Sequence, residues 1–151
     1  MLLTPHILAG AAIITKVQNP VLGLFLVLLS HYFLDCLPHQ KEYTIRNIVE
    51  RRWGKSLPDF LKVFSEIIFC FWVIFFITDR NPVILLSIVF AVIPDSFTLL
   101  HHLFPSNKML QGHQKIHCAI NNFFQNEKIS PFWGVASQVL VVFIALFLLL
   151  Q

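Results

Sequence analysis

Three ionisable side chains lie close together at the end of an apolar segment, in residues 29–39 with the sequence LSHYFLDCLPH. His31 and Asp35 are four positions apart, so a helix places both on one face, and His39 follows four positions later. An ionisable group at the centre of a membrane helix costs about 2.5–3.5 kcal/mol on insertion scales. Imidazole and carboxylate groups are typical ligands of a divalent transition metal. The stretch therefore predicts a metal or catalytic site.

A second pair of histidines has the same spacing. His113 and His117 are four positions apart, and a helix would place them on one face with Ile116, Ile120 and Phe124. Such a helix would press both histidines against the rest of the protein. The pair is a second candidate for metal binding.

The remaining candidates are scattered along the chain. Asp95 follows Pro94, whose ring is expected to interrupt a helix there. His102 lies seven positions after Asp95 and would share its helical face, whereas His101 would not. We assign as metal ligands His6, His31, Asp35, His113 and His117. As catalytic or proton-carrying groups we assign His39, Asp95 and His102.

The elements that must position these residues are apolar and long. The chain has 151 residues, of which 56% are hydrophobic and 13% charged, against about 25% charged in a soluble domain. Four segments have about the length that a bilayer demands, namely 20–37, 60–78, 82–100 and 131–150. A fifth, residues 5–18, is shorter. We therefore predict one all-α integral membrane domain over residues 1–151, with four or five transmembrane helices and a polar His/Asp site near one face.

The basic residues indicate which way the chain is oriented. With five crossings, nine of the eleven Lys and Arg residues lie on one side, and only Lys16 and Arg80 lie on the other. This asymmetry places the first side in the cytoplasm. All seven histidines fall on that same side, although the count did not use them. We predict a multi-pass protein of the inner (cytoplasmic) membrane with its site facing the cytoplasm. In the loop 38–59, a basic amphipathic helix at the membrane surface and a solvated loop are equally compatible with the sequence.

The three cysteines do not form a metal-binding cluster. Cys36, Cys70 and Cys118 are far apart in the sequence and contain no CxxC pair. Their absence as a cluster argues against a closed structural zinc site. Mixed His and Asp ligands suit Zn²⁺, Mn²⁺ or Fe, and we expect one or two ions, with Zn²⁺ as the first choice.

These motifs resemble the YdjM-like family of bacterial inner-membrane metal-dependent hydrolases. That family has an early His, a Pro-Asp motif, a two-histidine motif and an SHxxxDxxT/P motif. The matching residues here are His6, Asp95 in IPD, the two histidines of GHQKIHC, and His31 with Asp35 in SHYFLDCLP. The SHxxxD motif comes earlier here than in the family, and the paired histidines are four apart instead of five. A looser similarity connects these pairs to zinc-dependent phospholipase C.

The resemblance implies a metal-dependent hydrolase, and we expect it to act on a phosphoester such as that of a lipid head group. Lys108, Lys115 and the arginines within 46–52 are candidates to hold the phosphate. The expected partners are the lipid bilayer and a phosphorylated substrate, with no role for nucleic acid. Two alternatives stay open. The same residues suit a transporter or channel for metal ions or protons, and a non-catalytic interaction protein is the third class.

Overall fold

The computed structural model describes residues 1–37, 39, 45–123 and 130–151. Within these ranges the chain forms α-helices and one short 3₁₀ helix at Trp53–Lys55, and no strand. The α-helices are α1 (Leu3–Lys16), α2 (Pro20–Cys36), α3 (Arg46–Val49), α4 (Leu57–Ile77), α5 (Pro82–Leu103), α6 (Lys108–Asn121) and α7 (Pro131–Leu149). The all-α prediction is confirmed, and each predicted apolar segment corresponds to one helix with ends that differ by a few residues.

Three helices in the described part of the chain are long and apolar enough to cross a membrane: Leu57–Ile77, Pro82–Leu103 and Phe132–Leu149. They fit a membrane protein. The apolar helix α2 has 17 residues and α1 has 14, fewer than the roughly 20 that a straight crossing needs. The predicted number of four or five crossings therefore rests on these two shorter helices.

Proline and asparagine fix where several helices begin. Pro20 and Pro82 occupy first-turn positions, where the missing N–H breaks no hydrogen bond. The side chains of Asn19 and Asn81 accept hydrogen bonds from the first N–H groups of α2 and α5. Asn107 caps α6 in the same way. Local sequence signals thus determine where the helices that carry the site begin.

The shortest apolar helix, α1, is the centre of the bundle and packs against α2, α4, α5 and α7. Gly10 allows this close packing. A Cβ atom at Gly10 would lie 2.9 Å from Cγ1 of Val27 in α2 and 3.3 Å from Cβ of Ala91 in α5. Small residues at such contacts let helix backbones approach one another.

Helices α1 and α2 are antiparallel. His6 stacks on His31, Gly10 meets Val27, and Ile14 meets Gly23. As the residue number increases along α1, the number of the contacting residue in α2 decreases by the same amount. The beginning of α1 therefore lies beside the end of α2, and we call this end of the bundle the site end.

Side chains of two other helices cap the buried beginning of α1. The first N–H groups of a helix have no partner within it. Here the N–H of Thr4 donates to Oε2 of Glu66 in α4 at 3.1 Å, and the Thr4 hydroxyl donates to the same oxygen at 3.3 Å. The N–H of Leu2 donates to Oε1 of Gln138 in α7 at 3.0 Å. These bonds fix the depth of α1 in the bundle.

The predicted interruption at Pro94 is wrong, because α5 runs without a break from Pro82 to Leu103. Pro94 gives no N–H to the helix, but neighbouring groups bond the carbonyls around it. The hydroxyl of Ser96 donates to the carbonyl of Val92 at 3.0 Å. The carbonyl of Ala91 accepts a bond from Nδ1 of His31 in α2 at 2.7 Å. The bond from His31 thus ties α5 to α2 close to the proline.

The loop 38–59, for which the sequence left an amphipathic helix and a solvated loop equally open, forms the short helix α3 and the 3₁₀ turn in its described part before α4 begins. Asp59, buried at the start of α4, accepts hydrogen bonds from the N–H groups of Asn47 and Ile48, at 2.6 and 3.2 Å. Ile48 is also fully buried. Asp59 therefore fastens α3 to α4. Pro38 and residues 40–44 of this loop lie outside the described residues.

Helix α6 forms as predicted, but its rotation differs from the expected one. His117 is buried, whereas Ile116, predicted to share its face, is 61% exposed. Successive helical residues are about 100° apart, so a face that buries His117 can turn Ile116 outward. Phe124, predicted on the same face, lies outside the described residues.

Candidate metal site

Four side chains from three helices meet at the site end. They are His31 and Asp35 of α2, Asp95 of α5 and His117 of α6. Each offers one ligand atom, and these atoms all lie within 4.8 Å of one another. His31, Asp35 and His117 are buried, and Asp95 is partly exposed. This buried His/Asp cluster could hold a metal ion.

The distances within the cluster match the donor spacing of a small metal centre. Nε2 of His117 lies 2.8 Å from Oδ2 of Asp35 and 3.8 Å from Oδ1 of Asp95. Nε2 of His31 lies 3.3 and 3.7 Å from the same two oxygens. Tetrahedral bonds of about 2.0 Å separate ligand atoms by about 3.3 Å. These four separations, from 2.8 to 3.8 Å, bracket this value, and the shortest of them, between His117 and Asp35, is a hydrogen bond.

A hydrogen bond on the side of the ring away from the cluster fixes the orientation of His31. Its Nδ1 donates to the carbonyl of Ala91 at 2.7 Å, because a carbonyl can only accept. Its Nε2 faces the two carboxylates, yet this buried atom makes no hydrogen bond with any described residue. The contact with Asp35 is short enough for a hydrogen bond but not aligned for one. A nitrogen lone pair turned towards two carboxylates fits a cation lying between them.

His117 is held in a similar way. Its Nδ1 lies 3.1 Å from the hydroxyl of Thr98 in α5. Metal-binding histidines commonly use the second ring nitrogen for such a bond, which fixes the direction of the first. Both imidazoles therefore have one nitrogen engaged with α5 and the other directed into the cluster.

The charges of the cluster also favour a divalent cation. Asp35 and Asp95 contribute two negative charges, and Asp35 is buried. Buried carboxylates are strongly unfavourable unless they are paired or coordinate a metal. Two carboxylates, two neutral imidazoles and one divalent ion give a neutral site.

His6 lies beside the cluster, on its α1 side. Its ring stacks on His31 with centroids 4.0 Å apart, and its Nε2 lies 3.3 Å from Oδ1 of Asp35. The ring is buried, and neither nitrogen hydrogen-bonds to another described residue. His6, predicted as a ligand, therefore faces the second oxygen of Asp35, away from the four-donor group.

His39 follows on the same side. Its Nδ1 donates to the carbonyl of Leu37 at 2.8 Å, and its Nε2 lies 2.9 Å from the nitrogen of Met1. The nitrogen of Met1 is in turn 3.5 Å from Oδ1 of Asp35. His39, predicted as a proton carrier, is thus connected to Asp35 through the start of the chain.

His113, predicted as a ligand, is adjacent to the cluster but outside it. Its Nε2 is 3.1 Å from the hydroxyl of Tyr32, and its ring stacks on His117 with centroids 5.5 Å apart. Burial, and then the nearby imidazole of His117, lower the pKa of His113. A neutral His113 fits its bond to the tyrosine hydroxyl.

A cavity of about 410 Å³ opens beside the cluster. Asp95, His117 and His102 line its polar part, together with His39. The apolar walls come from four helices and include Leu3, Val49, Val63, Val92 and Leu99. Asp95 and His102 share a helical face as predicted, and both point to this cavity. Helix α6 also turns Cys118 towards it, although the sequence did not single out that residue as part of the site.

Most of the basic residues predicted to hold a phosphate lie away from the cavity. Among the described residues that line the cavity there is no Lys or Arg. Lys108 and Lys115 are exposed on α6, and Arg46 and Arg52 pair with Glu50. Arg51 interacts electrostatically with His102, which lines the cavity.

Sequence reasoning missed the groups that orient the ligands. Thr98 was not predicted as part of the site, yet it lies three positions after Asp95, which puts it on the same helical face. Tyr32, beside His31, was not noted. The carbonyl of Ala91 has no side-chain signal at all. Comparison of the chain with family models, curated protein sequences and solved structures gives no match. The similarity to YdjM-like proteins stays a hypothesis based on short motifs.

Proposed function

We propose that this protein is a membrane-embedded, metal-dependent hydrolase that cleaves a phosphoester, such as that of a lipid head group. The observation that supports it best is the buried Nε2 of His31, which faces two carboxylates and makes no hydrogen bond among the described residues. Zn²⁺ is the metal that the mixed His and Asp donors favour.

In this proposal His31, Asp35, Asp95 and His117 hold the metal. A bound divalent ion supplies Lewis acidity and lowers the pKa of water. Ala91 and Thr98 keep the two imidazoles aimed at the cluster. Asp95, which is partly exposed and lines the cavity, can accept a proton there, and His102 on the same wall can carry it away.

The cavity favours an amphiphilic substrate. Its polar groups, Asp95, His102 and His117, are next to the cluster, whereas Leu3, Val63 and Val92 form apolar walls. A substrate with a polar bond to be cleaved and an apolar portion would satisfy both parts. A lipid has this composition.

The transporter alternative receives less support, because the polar groups stop at one end of the bundle. Beyond His6, the central helix continues with buried apolar residues: Ile7, Leu8, Ala11, Ala12 and Ile14. Ser87 is the buried polar side chain in this part of α5, and its hydroxyl is bonded to the carbonyl of Ile84. An ion that crossed the membrane would need polar groups along its path. The arrangement suits one-sided chemistry.

The proposal is tested with protein purified in detergent without chelators. We expect about one zinc per chain by elemental analysis, and hydrolysis of a panel of phosphomonoesters, phosphodiesters and phospholipids that stops on chelation and returns with zinc. Asp95→Asn should lose the hydrolysis. If the gently purified protein contains no metal, the proposal fails. If it contains metal but moves ions into vesicles and hydrolyses nothing, the transporter alternative is correct.

We also propose that the protein lies in a bacterial inner membrane with the site end towards the cytoplasm, as the nine-to-two distribution of basic residues indicates. Relationship to the YdjM-like family is part of this proposal. It is supported by the convergence of His31, Asp35, Asp95 and His117, since these residues come from three separate motifs of the resemblance.

A further inference from the structure

Helix α6 carries an apolar stripe that is exposed on the surface of the described part of the protein. The stripe consists of Met109, Gly112, Ile116 and Ala119, spaced three and four positions apart. All four residues are exposed, and the two large ones, Met109 and Ile116, expose 68% and 61% of their surface. The other face of the helix contributes His117 to the metal cluster.

The surroundings of the stripe indicate its partner. Lys108 and Lys115, both exposed, lie along one flank of the stripe. The exposed residues Leu103 and Phe104 lead into α6 from the end of α5, a candidate membrane span. The apolar surface of α5 therefore continues onto α6. With 14 residues and a polar opposite face, α6 is too short and too polar to cross a bilayer itself.

We propose that α6 lies in the membrane interface, with the stripe in the lipid and its lysines among anionic head groups. A basic flank beside an apolar stripe is typical of helices that lie on a membrane surface. A second copy of the chain would cover the stripe equally well but would not explain its continuity with the lipid-facing end of α5.

This contact has a consequence for the cluster. Three of the four donors come from α2 and α5, and α6 supplies only His117. The lipid surface therefore helps to hold the fourth donor in place. This second step rests on the proposed metal site, whereas the position of α6 in the membrane does not.

The position is tested by spin labels in the full-length protein in nanodiscs with anionic phospholipids. Cys36 and Cys118 are first replaced by Ser, and a label is attached at Ile116→Cys. The matched control is Gln111→Cys, which is also exposed and lies about 140° away around the helix. We expect the Ile116 label to collide more with oxygen, which dissolves in lipid, and several-fold less with a water-soluble nickel complex than the Gln111 label.

Two results would overturn the proposal. Equal exposure of both labels to the nickel complex would show that the stripe faces water. If the label at position 116 is shielded from both oxygen and nickel, and labels on two copies of the chain show dipolar coupling, the stripe is covered by a protein partner. If Ile116→Cys fails to fold, Met109→Cys tests the same stripe. A separate measurement tests whether the lipid contact of α6 helps to hold His117. In zinc-loaded protein, Ile116→Glu should lower zinc affinity several-fold, while Ile116→Leu should not. An unchanged affinity for Ile116→Glu would refute this effect on the metal site but not the position of α6.

Discussion

His31 is fixed on both sides of its ring, and this makes it the most informative residue to remove. Its Nδ1 is engaged by the carbonyl of Ala91, and its Nε2 faces Asp35 and Asp95. We predict that His31→Ala loses most of the bound zinc. Removing a group that hydrogen-bonds to a metal ligand lowers metal affinity about 10- to 100-fold, and removing the ligand itself should lower it further. Zinc per chain, measured by elemental analysis, checks this.

His101→Ala provides the control for that experiment. His101 is next to His102 on α5 but does not line the cavity. Its removal should leave zinc content unchanged. Ligands of one ion act as a unit, so the double variant His31→Ala/His117→Ala should lose little more than either single one. Full zinc occupancy in His31→Ala would show that His31 is not a ligand of the metal.

Thr98 is predicted to act through His117. Thr98→Val keeps the shape of the side chain but removes the hydroxyl that lies 3.1 Å from Nδ1 of His117. We expect zinc affinity to fall about 10- to 100-fold, as for other outer partners of metal ligands. Thr98→Ser, which keeps the hydroxyl, should bind zinc nearly as well as the natural protein. Competition with a zinc-binding dye measures both, and equal affinities for the two variants would contradict the assignment.

At the residue scale, the sequence predicted the members of the site better than their arrangement. Spacing of four residues correctly placed His31 and Asp35 on one face, because helical geometry is local. The same rule could not tell which of His113 and His117 enters the cluster, since that depends on how α6 is rotated against α5. Asp95 was assigned to proton transfer, and the structure brings it among the four donors.

At the scale of helices, α1 is the element on which the others depend. Its packing requires that Gly10 has no side chain, because a Cβ would meet Val27 and Ala91. We predict that Gly10→Ala destabilises the protein by about 1–3 kcal/mol, the usual effect of an overpacked core. Thermal unfolding in detergent measures the change.

Gly112→Ala is the matched control for Gly10. Both glycines are helical, but a Cβ at Gly112 meets no atom within 4 Å. Alanine favours a helix over glycine by up to about 1 kcal/mol, so Gly112→Ala should be neutral or stabilising. Equal destabilisation by both variants would contradict the assignment, because the effect at Gly10 could then not be attributed to its close packing.

The central position of α1 could not be read from the sequence. The segment 5–18 is short and apolar, which fits an incomplete crossing as well as a buried core helix. The bonds that place it, from Thr4 to Glu66 and from Leu2 to Gln138, join residues far apart in the chain. Similarly, the bond that ties α5 to α2 near Pro94, from His31 to Ala91, joins residues far apart in the chain. Helix limits follow from local signals, whereas helix packing follows from partners that only the fold brings together.

At the scale of the whole molecule, the direction of successive helices agrees with the distribution of the basic residues. The antiparallel packing of α1 and α2 brings the start of α1 and the end of α2 to the site end. Helix α4 begins at this end too, because Asp59 at its start binds α3, whose residue Val49 lines the cavity. Of the basic residues, Lys16 lies at the far end of α1, and Lys41 and Lys128 lie outside the described residues.

We predict that the site end faces the cytoplasm, because basic residues are retained on that side during membrane insertion. Single cysteines at Lys55 and Ser106, in the background that lacks Cys36 and Cys118, would report on the site end, and a cysteine at Asp79 would report on the opposite end. All three positions are exposed. In intact cells, an impermeant thiol reagent should label the Asp79 position alone, and all three after the membrane is opened. Labelling of Lys55 and Ser106 from outside would reverse the orientation and place the cluster, with its cavity, on the outer surface of the membrane.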